Sequence, residues 1–433
     1  MTVALLVGLV TGLVQAAAVS GRAIGDRLGE AGRAATGGRA SAWFRRTLVV
    51  AQVGLSVVLL AGAALFFTSF RYLLRLDAGF RPDGVVTATI FPPPSRYPDQ
   101  QSLVALQDRF LERVREIPGT AAAGITSNIA LSGFESPSTV AAAGHERETG
   151  SSVVPSVVAI TPGYFRAMGT PLVRGRDFAD SDRADSQRVA IVDEALAARL
   201  WPGQDAIGQG LFRGEAGPYT VVGVVRAIRL EGLTTSIPSI GTAYFPHTQT
   251  PPMRRLRWVV IKSTLDRASV VRALQSALAS IDPDLPLADV QTMDERTGNA
   301  VVPQRLTMSL AMLFAAVALL LSVLGLYGVL AGAVVRRTRE IGIRLALGDT
   351  LRGIVRLVLR EAFVLVGVGL ALGVCGALAA GRALKGLVFG VQPGDPVLLV
   401  CVAAVTALVA LLACIQPALR ATRVDPIAVL TDV

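Results

Sequence analysis

Few side chains in this sequence could do chemistry, and their spacing argues against catalysis. The two histidines, His145 and His247, stand 102 residues apart, and the three cysteines, Cys375, Cys401 and Cys414, all fall in later apolar runs. No spacing fits a zinc site, and no Gly-x-Ser-x-Gly elbow is present. Asp180, Asp182 and Asp185 are interleaved with Arg183 and lack the glycine and terminal glutamate of a calcium loop, so they read as a solvated turn. Only Lys262 and Lys385 of the 42 basic residues are lysines. Neither follows a glycine-rich turn, so neither can reach phosphates as a P-loop lysine does. These residues imply no catalytic group, no metal and no cofactor bound by this chain; energy from ATP would have to come through a partner ATPase.

Two other sets carry more content. Arg336–Glu361 reads RRTREIGIRLALGDTLRGIVRLVLRE. Glu340 precedes Arg344 by one helical turn, the favourable order for an ion pair. Ile341, Leu345 and Leu347 form an apolar face, Gly348 ends the helix, and Asp349 can cap the next one. A short helix showing apolar residues in a polar loop suggests docking to a partner protein. Arg352, Arg356 and Arg360 follow as one stripe, for which arginines snorkelling beside acidic lipid are the plainer reading. The second set is glycine: Gly8/Gly12, Gly325/Gly328, and Gly367, Gly369, Gly373 and Gly376. Gly369-x-x-x-Gly373 permits close helix approach, either within the chain or between copies.

The elements holding these residues are membrane helices. Of 433 residues, 52% are hydrophobic and 17% charged, with a mean hydropathy of +0.53, against about 25% charged in ordinary globular domains. Disordered, collagen-like and disulfide-framework classes are excluded. Thr47–Phe70, Leu306–Val335, Ala362–Ala380 and Val397–Gln416 hold no charged residue and reach the roughly 20 residues a bilayer crossing needs. Met1–Val19 is a fifth candidate. It has no positive n-region, which favours a span over a signal peptide.

Charge orients the spans. Residues 77–303 hold 22 basic and 24 acidic residues, so the remainder carries a net +12. A nucleic-acid binder would place that excess on its polar domain; here it flanks the apolar runs. Six arginines fall in 20–46 and seven in 336–360, which makes both segments cytoplasmic. The N-terminus, 71–305 and 381–396 then lie outside, and the C-terminal tail inside. The large outside domain has no cysteine, which suits an oxidising periplasm.

Within 77–303 the pattern is mixed α/β. Leu103, Leu106, Phe110, Val114 and Ile117 recur at helical spacing, as do Val270, Val271, Leu274, Leu278 and Ile281. Val85–Ile90, Val153–Ile160, Arg188–Val192, Tyr219–Val225 and Trp258–Ile261 read as strands. Residues 132–152, rich in Ser, Gly, Ala and Glu, read as a loop or small insert.

The order span, large outside domain, three spans resembles the MacB/FtsX superfamily of ABC-transporter permeases. ITPGYFRAMGTPLVRGRDFADSD (Ile160–Asp182) and RVAIVDEALAARLWPGQDAIGQ (Arg188–Gln209) resemble a MacB-type periplasmic core domain. RRTREIGIRLALG (Arg336–Gly348) resembles the family's cytoplasmic coupling segment, and PALRATRVDPIAVL (Pro417–Leu430) its C-terminal signature. The resemblance implies an integral membrane α-helical protein of five spans, four of them the family unit, with a large mixed α/β periplasmic domain. Its divisions are 1–46, an extra span and basic loop; 47–70, a transmembrane helix; 71–305, the periplasmic core; and 306–433, the FtsX-like permease domain. QAAAVSGR (Gln15–Arg22) aligns loosely with QPALRATR (Gln416–Arg423), so the first segment resembles the tail of a preceding unit, as in duplicated orphan permeases.

By the same resemblance, Arg339, Glu340, Ile341, Gly342, Arg344, Leu345 and Gly348 would dock a cytoplasmic ATPase. Asp349-Thr350 departs from the small or basic residues common there. The remaining implied partners are a second permease unit and the bilayer of the bacterial inner membrane; nucleic acid is not among them. The implied work is mechanical, moving substrates in the periplasm or from the outer leaflet. A signal transmitter acting on a periplasmic partner such as a cell-wall hydrolase is the alternative within the same family.

Overall fold

The computed structural model describes residues 36–134, 136–144, 152–214, 216–230, 232, 240–250, 255–336, 350–392 and 394–421. The expected first span, Met1–Val19, lies outside them. The chain enters with α1 (Thr36–Arg75), a 40-residue helix about 60 Å long at 1.5 Å per residue.

Two interleaved β-α-β units follow. The first is β1 (Val85–Ile90), α2 (Gln100–Arg115) and β2 (Thr120–Thr126). The second comes after an insertion. Within the insertion lie β3 (Val140–Ala142), β4 (Ser156–Ile160), α3 (Tyr164–Met168), β5 (Leu172–Gly175), β6 (Val189–Asp193), α4 (Glu194–Leu200), β7 (Gly210–Arg213), β8 (Ala216–Val225) and β9 (Thr242–Pro246). The second unit is β10 (Arg257–Ser263), α5 (Arg267–Ala279) and β11 (Ala288–Thr292), closed by α6 (Met293–Ala300). The strand order β11-β1-β10-β2, with β1 antiparallel to both β10 and β11, is that of a split β-α-β fold. The sheet continues through β4-β9-β6-β8-β7-β3, with β5 paired to β8.

The helices form where the sequence signals them. Asp99 and Asp266 accept the Ser102 and Ser269 N–H groups at 2.8 and 3.1 Å, capping α2 and α5. Phe110, Val114, Val270 and Leu274 then bury against β1, β2 and β10. The strands depart more from expectation. β4 starts at Ser156 rather than Val153, and residues 132–152, expected as a loop or small insert, contribute the three-residue strand β3. β2, with the sequence TAAAGIT, carries little β-branched signal. Its Gly124 admits α3: an added Cβ would stand 2.6 Å from Tyr164 Cα.

Three long helices end the described chain: α7 (Val302–Arg336), α8 (Leu351–Ala383) and α9 (Pro396–Ala421). With α1 they make four helices long and apolar enough to cross a membrane, all longer than the expected spans. Contacts divide the described chain into two bodies, and the divisions fall inside α1 and α7. The membrane body is 36–62, 313–380 and 396–421; the α/β body is 63–312 together with 381–395. Residues 381–395, between α8 and α9, group by contact with the α/β body.

Candidate functional site

In the membrane body the contacts converge on α1. A Cβ at Gly369 would lie 2.7 Å from Val53 Cβ; one at Gly373 would lie 2.6 Å from Val57 Cβ and 2.9 Å from the Gly54 carbonyl oxygen. Val53 and Val57 are fully buried. The two glycines therefore seat α8 on α1 of the same chain. Gly325 of α7 meets Gln52 of α1, while Gly328 and Gly367 face open space. Gln52 Oε1 is buried with no hydrogen-bond partner among the described residues. Arg46 of α1 pairs with Glu361 of α8. Neither Gln52 nor this pair was singled out from the sequence. The available signals were one glutamine in an apolar run and one carboxylate at the edge of another.

The segment Arg339, Glu340, Ile341, Gly342, Arg344, Leu345 and Gly348 lies outside the described residues, as does Asp349. The chain resumes at Thr350, whose hydroxyl accepts the Gly353 N–H at 3.3 Å in the first turn of α8. Arg356 and Arg360 are exposed.

The α/β body receives α1 and starts α7 in one core. Leu73, near the end of α1, is buried with Phe80, Ile228, Trp258, Met293 and Val301, the residue before α7. After α1 the chain is pinned to the segment following β8. The Arg229 N–H donates to the Ala78 carbonyl at 3.2 Å, and Arg226 pairs with Asp77 at 3.2 Å. Gly79, at φ +84°, is required because a Cβ would collide with the Ala227 carbonyl. The other entry is closed by a capping box at α6: Thr292 Oγ1 accepts the Glu295 N–H at 3.1 Å, and the Glu295 carboxylate accepts the Thr292 N–H at 2.9 Å.

A cleft of about 780 Å³ opens between one face of α2 and the segment around Asp180–Asp185. Asp108, Glu112, Asp180 and Asp185 line it, with Arg115 and Arg183. His247 Nε2 lies 2.8 Å from Asp108 Oδ1. Asp182 is not a free member of an acidic cluster. Burial raises its pKa, but two hydrogen bonds from Arg176, at 2.8 and 2.9 Å, and one from the Ala179 N–H outweigh that and leave it lowered. Asp182 is therefore held back onto Arg176, while Asp180 and Asp185 are exposed as a solvated turn would have them. Elsewhere, burial raises Asp193 to about 6, against the hydrogen bonds it accepts from the Leu196 and Thr242 N–H groups. It caps α4 and ties that helix to β9. Among the described residues no group of three His, Cys, Asp or Glu side chains is placed to hold a metal ion.

Residues 47–277 match the MacB-like periplasmic core domain family, and residues 312–426 the FtsX-like permease C-terminal family. The macrolide export ATP-binding/permease protein MacB of Rhodospirillum rubrum is 30% identical over 294 residues, covering 62% of this chain and 42% of that protein. The pyoverdine export ATP-binding/permease protein PvdT of Pseudomonas putida is 29% identical over 278 residues, covering 60% and 40%. The chain thus spans less than half the length of these relatives. The crystal structure of the periplasmic region of MacB from Actinobacillus actinomycetemcomitans aligns with 53% of this chain and 97% of that one, at 14% identity and a TM-score of 0.36. Four membrane-capable helices joined to an α/β domain, with these two domain matches in this order, define an ABC-type permease. The chain belongs to the MacB/FtsX superfamily.

Proposed function

We propose that this chain is the transmembrane unit that carries the ATP-driven motion of a separate cytoplasmic ATPase to its periplasmic domain. The observation that carries the reading is α1: one unbroken helix, Thr36–Arg75, whose first half is the hub of the membrane body and whose end is buried in the α/β core. α1 buries Val49 and Val53 in the membrane body and Leu73 in the α/β core, and α7 begins from the core that holds Leu73. The work is mechanical handling of an amphiphilic, lipid or peptide substrate at the periplasmic side, without passage between the spans. The spans support this, since none of the four apolar runs holds a charged residue to mark a polar path. The relatives named as macrolide and pyoverdine exporters support an export role. Arginine placement supports an inner-membrane protein with a cytoplasmic C-terminus. A second permease unit, as a copy or a fused half, completes the assembly.

In this reading Glu340 and its neighbours receive the ATPase. The test is capture of the detergent-solubilised chain, tagged at Val433, from native membranes, with mass spectrometry and ATP turnover as readouts and Glu340→Arg as the control. An ABC ATPase recovered by the wild type and lost by the variant upholds the reading. Equal recovery by both overturns the docking assignment. Recovery of a cell-wall hydrolase without any ATPase favours signal transmission instead.

A further inference from the structure

The connection between α8 and α9 joins two membrane helices, yet its contacts lie in the α/β body. Three independent interactions seat it on the end of α1. The Ser69 hydroxyl, on a residue 4% exposed, accepts the Phe389 N–H at 2.9 Å across 320 residues of sequence. One turn on, the Tyr72 ring lies flat against Gly390. Gly390 sits at φ +66°, and a Cβ there would collide with three ring carbons. Phe389 itself packs against the core that holds Leu73, Trp258 and Val301. The loop is also shaped from within, by the Leu387 N–H donating to the Leu384 carbonyl at 2.9 Å.

A solvated loop would need none of this. A buried hydroxyl taking a backbone N–H, a ring lying over a left-handed glycine and a half-buried phenylalanine together hold the connection against the end of α1. Through Phe389 the connection reaches the core that holds Leu73 and Val301.

We infer that Ser69 and Tyr72 form a clasp that holds Phe389–Gly390, so that the outer connection of α8 and α9 moves as part of the α/β domain. This extends the mechanical reading above, which routes motion along α1 and α7 alone, by adding a second path from the last two spans. Ser69 and Tyr72 are positioning residues in it.

The test uses the full chain with Cys375, Cys401 and Cys414 replaced by serine, in nanodiscs of phosphatidylethanolamine and phosphatidylglycerol. Spin labels are placed on cysteines at Leu387, in the loop, and Ala198, on α4, both exposed. Pulsed dipolar spectroscopy should give one narrow distance distribution. Tyr72→Ala and Gly390→Val should each broaden it at least twofold, while Tyr72→Phe, which keeps the ring, should restore the wild-type width. A reference pair at Ala198 and Ala105, the latter exposed on α2, should stay narrow throughout and report an intact domain. A broad wild-type distribution, or equal widths for Tyr72→Ala and Tyr72→Phe, overturns the clasp. No ATPase takes part in this measurement. Failure to recover one therefore counts against the function proposed above and leaves the clasp standing, and a broad distribution does the reverse.

Discussion

The two bodies are held together by opposite means. The α/β core is built from large side chains: Trp258, Tyr164, Phe165 and Tyr244 are all buried, and Phe165 meets the Tyr244 ring edge-on at 4.9 Å between centroids. Removing such surfaces from water is what stabilises it. The membrane body buries valines, alanines and leucines around glycines that let α8 lie directly on α1. Lipid is as apolar as the side chains, so burial supplies little drive there; close contact must. In one body the damaging change is to remove volume, and in the other it is to add it.

Each body carries its own probe for testing this. Trp201 and Trp258 are buried in the α/β body, so with Trp43 of the membrane body replaced by phenylalanine tryptophan emission reports the unfolding of the α/β body. Cys414 is buried in the membrane body. With Cys375 and Cys401 replaced by serine, the rate of maleimide attack on it reports helix separation. The largest expected effect is Phe110→Ala, from a site with no exposed surface. It should cost about 3–5 kcal/mol, shifting the tryptophan transition and leaving Cys414 reactivity unchanged. Next is Gly373→Val, which should destabilise the helix seam by about 1–3 kcal/mol, accelerating Cys414 labelling without moving the tryptophan transition. Gly367→Ala, into open space, should change neither. If Gly373→Val and Gly367→Ala behaved alike, the contrast between the bodies would fail.

Two smaller effects sharpen it. The folded-state pKa of Asp193 is raised to about 6 from 3.8. The folded state therefore holds the proton more tightly, and the resulting stability is full below the unfolded pKa and lost as pH rises through about 6. From pH 7 to pH 5 the wild type should gain about 1 kcal/mol on Asp193→Asn, read as a widening gap between their tryptophan transitions. Cys414 reactivity should show no such gap. Smallest is the Arg46–Glu361 pair, with the Arg46 side chain 46% exposed. A double-mutant cycle of Arg46→Ala and Glu361→Gln should give a coupling of about 0.2–1 kcal/mol, seen in Cys414 labelling and weakened by salt.

The sequence was most legible where one force acts alone. Four uncharged runs became four long helices, because in an apolar solvent the backbone has little alternative to satisfying itself. The amphipathic runs of α2 and α5 were legible from the spacing of Phe110, Val114, Val270 and Leu274. The strands that escaped notice have weak local signals. β2 is mostly alanine and glycine, shaped by the need to admit α3, and β9 ends in Pro246. Their state is set by neighbours far away in sequence. The same reason hid Ser69 and Phe389, neither of which is unusual until the other is beside it, and it hid Gln52, the partner of the glycine that the sequence does show at Gly325. Conversely, Asp182 looked like part of a solvated turn because nothing in the spacing showed that Arg176 folds back onto it.

The pairing of β1 sets a schedule for synthesis. Val85 pairs with Lys262 and Val86 with Thr292, so the first strand is complete some 200 residues before its last partner exists. At about 5–20 residues per second, the edge of β1 that meets β10 stays open for roughly 9–35 s on each ribosome and the edge that meets β11 for roughly 10–40 s. During that time VVTATI, rich in β-branched residues and without charge, is the segment most exposed to pairing with the wrong chain.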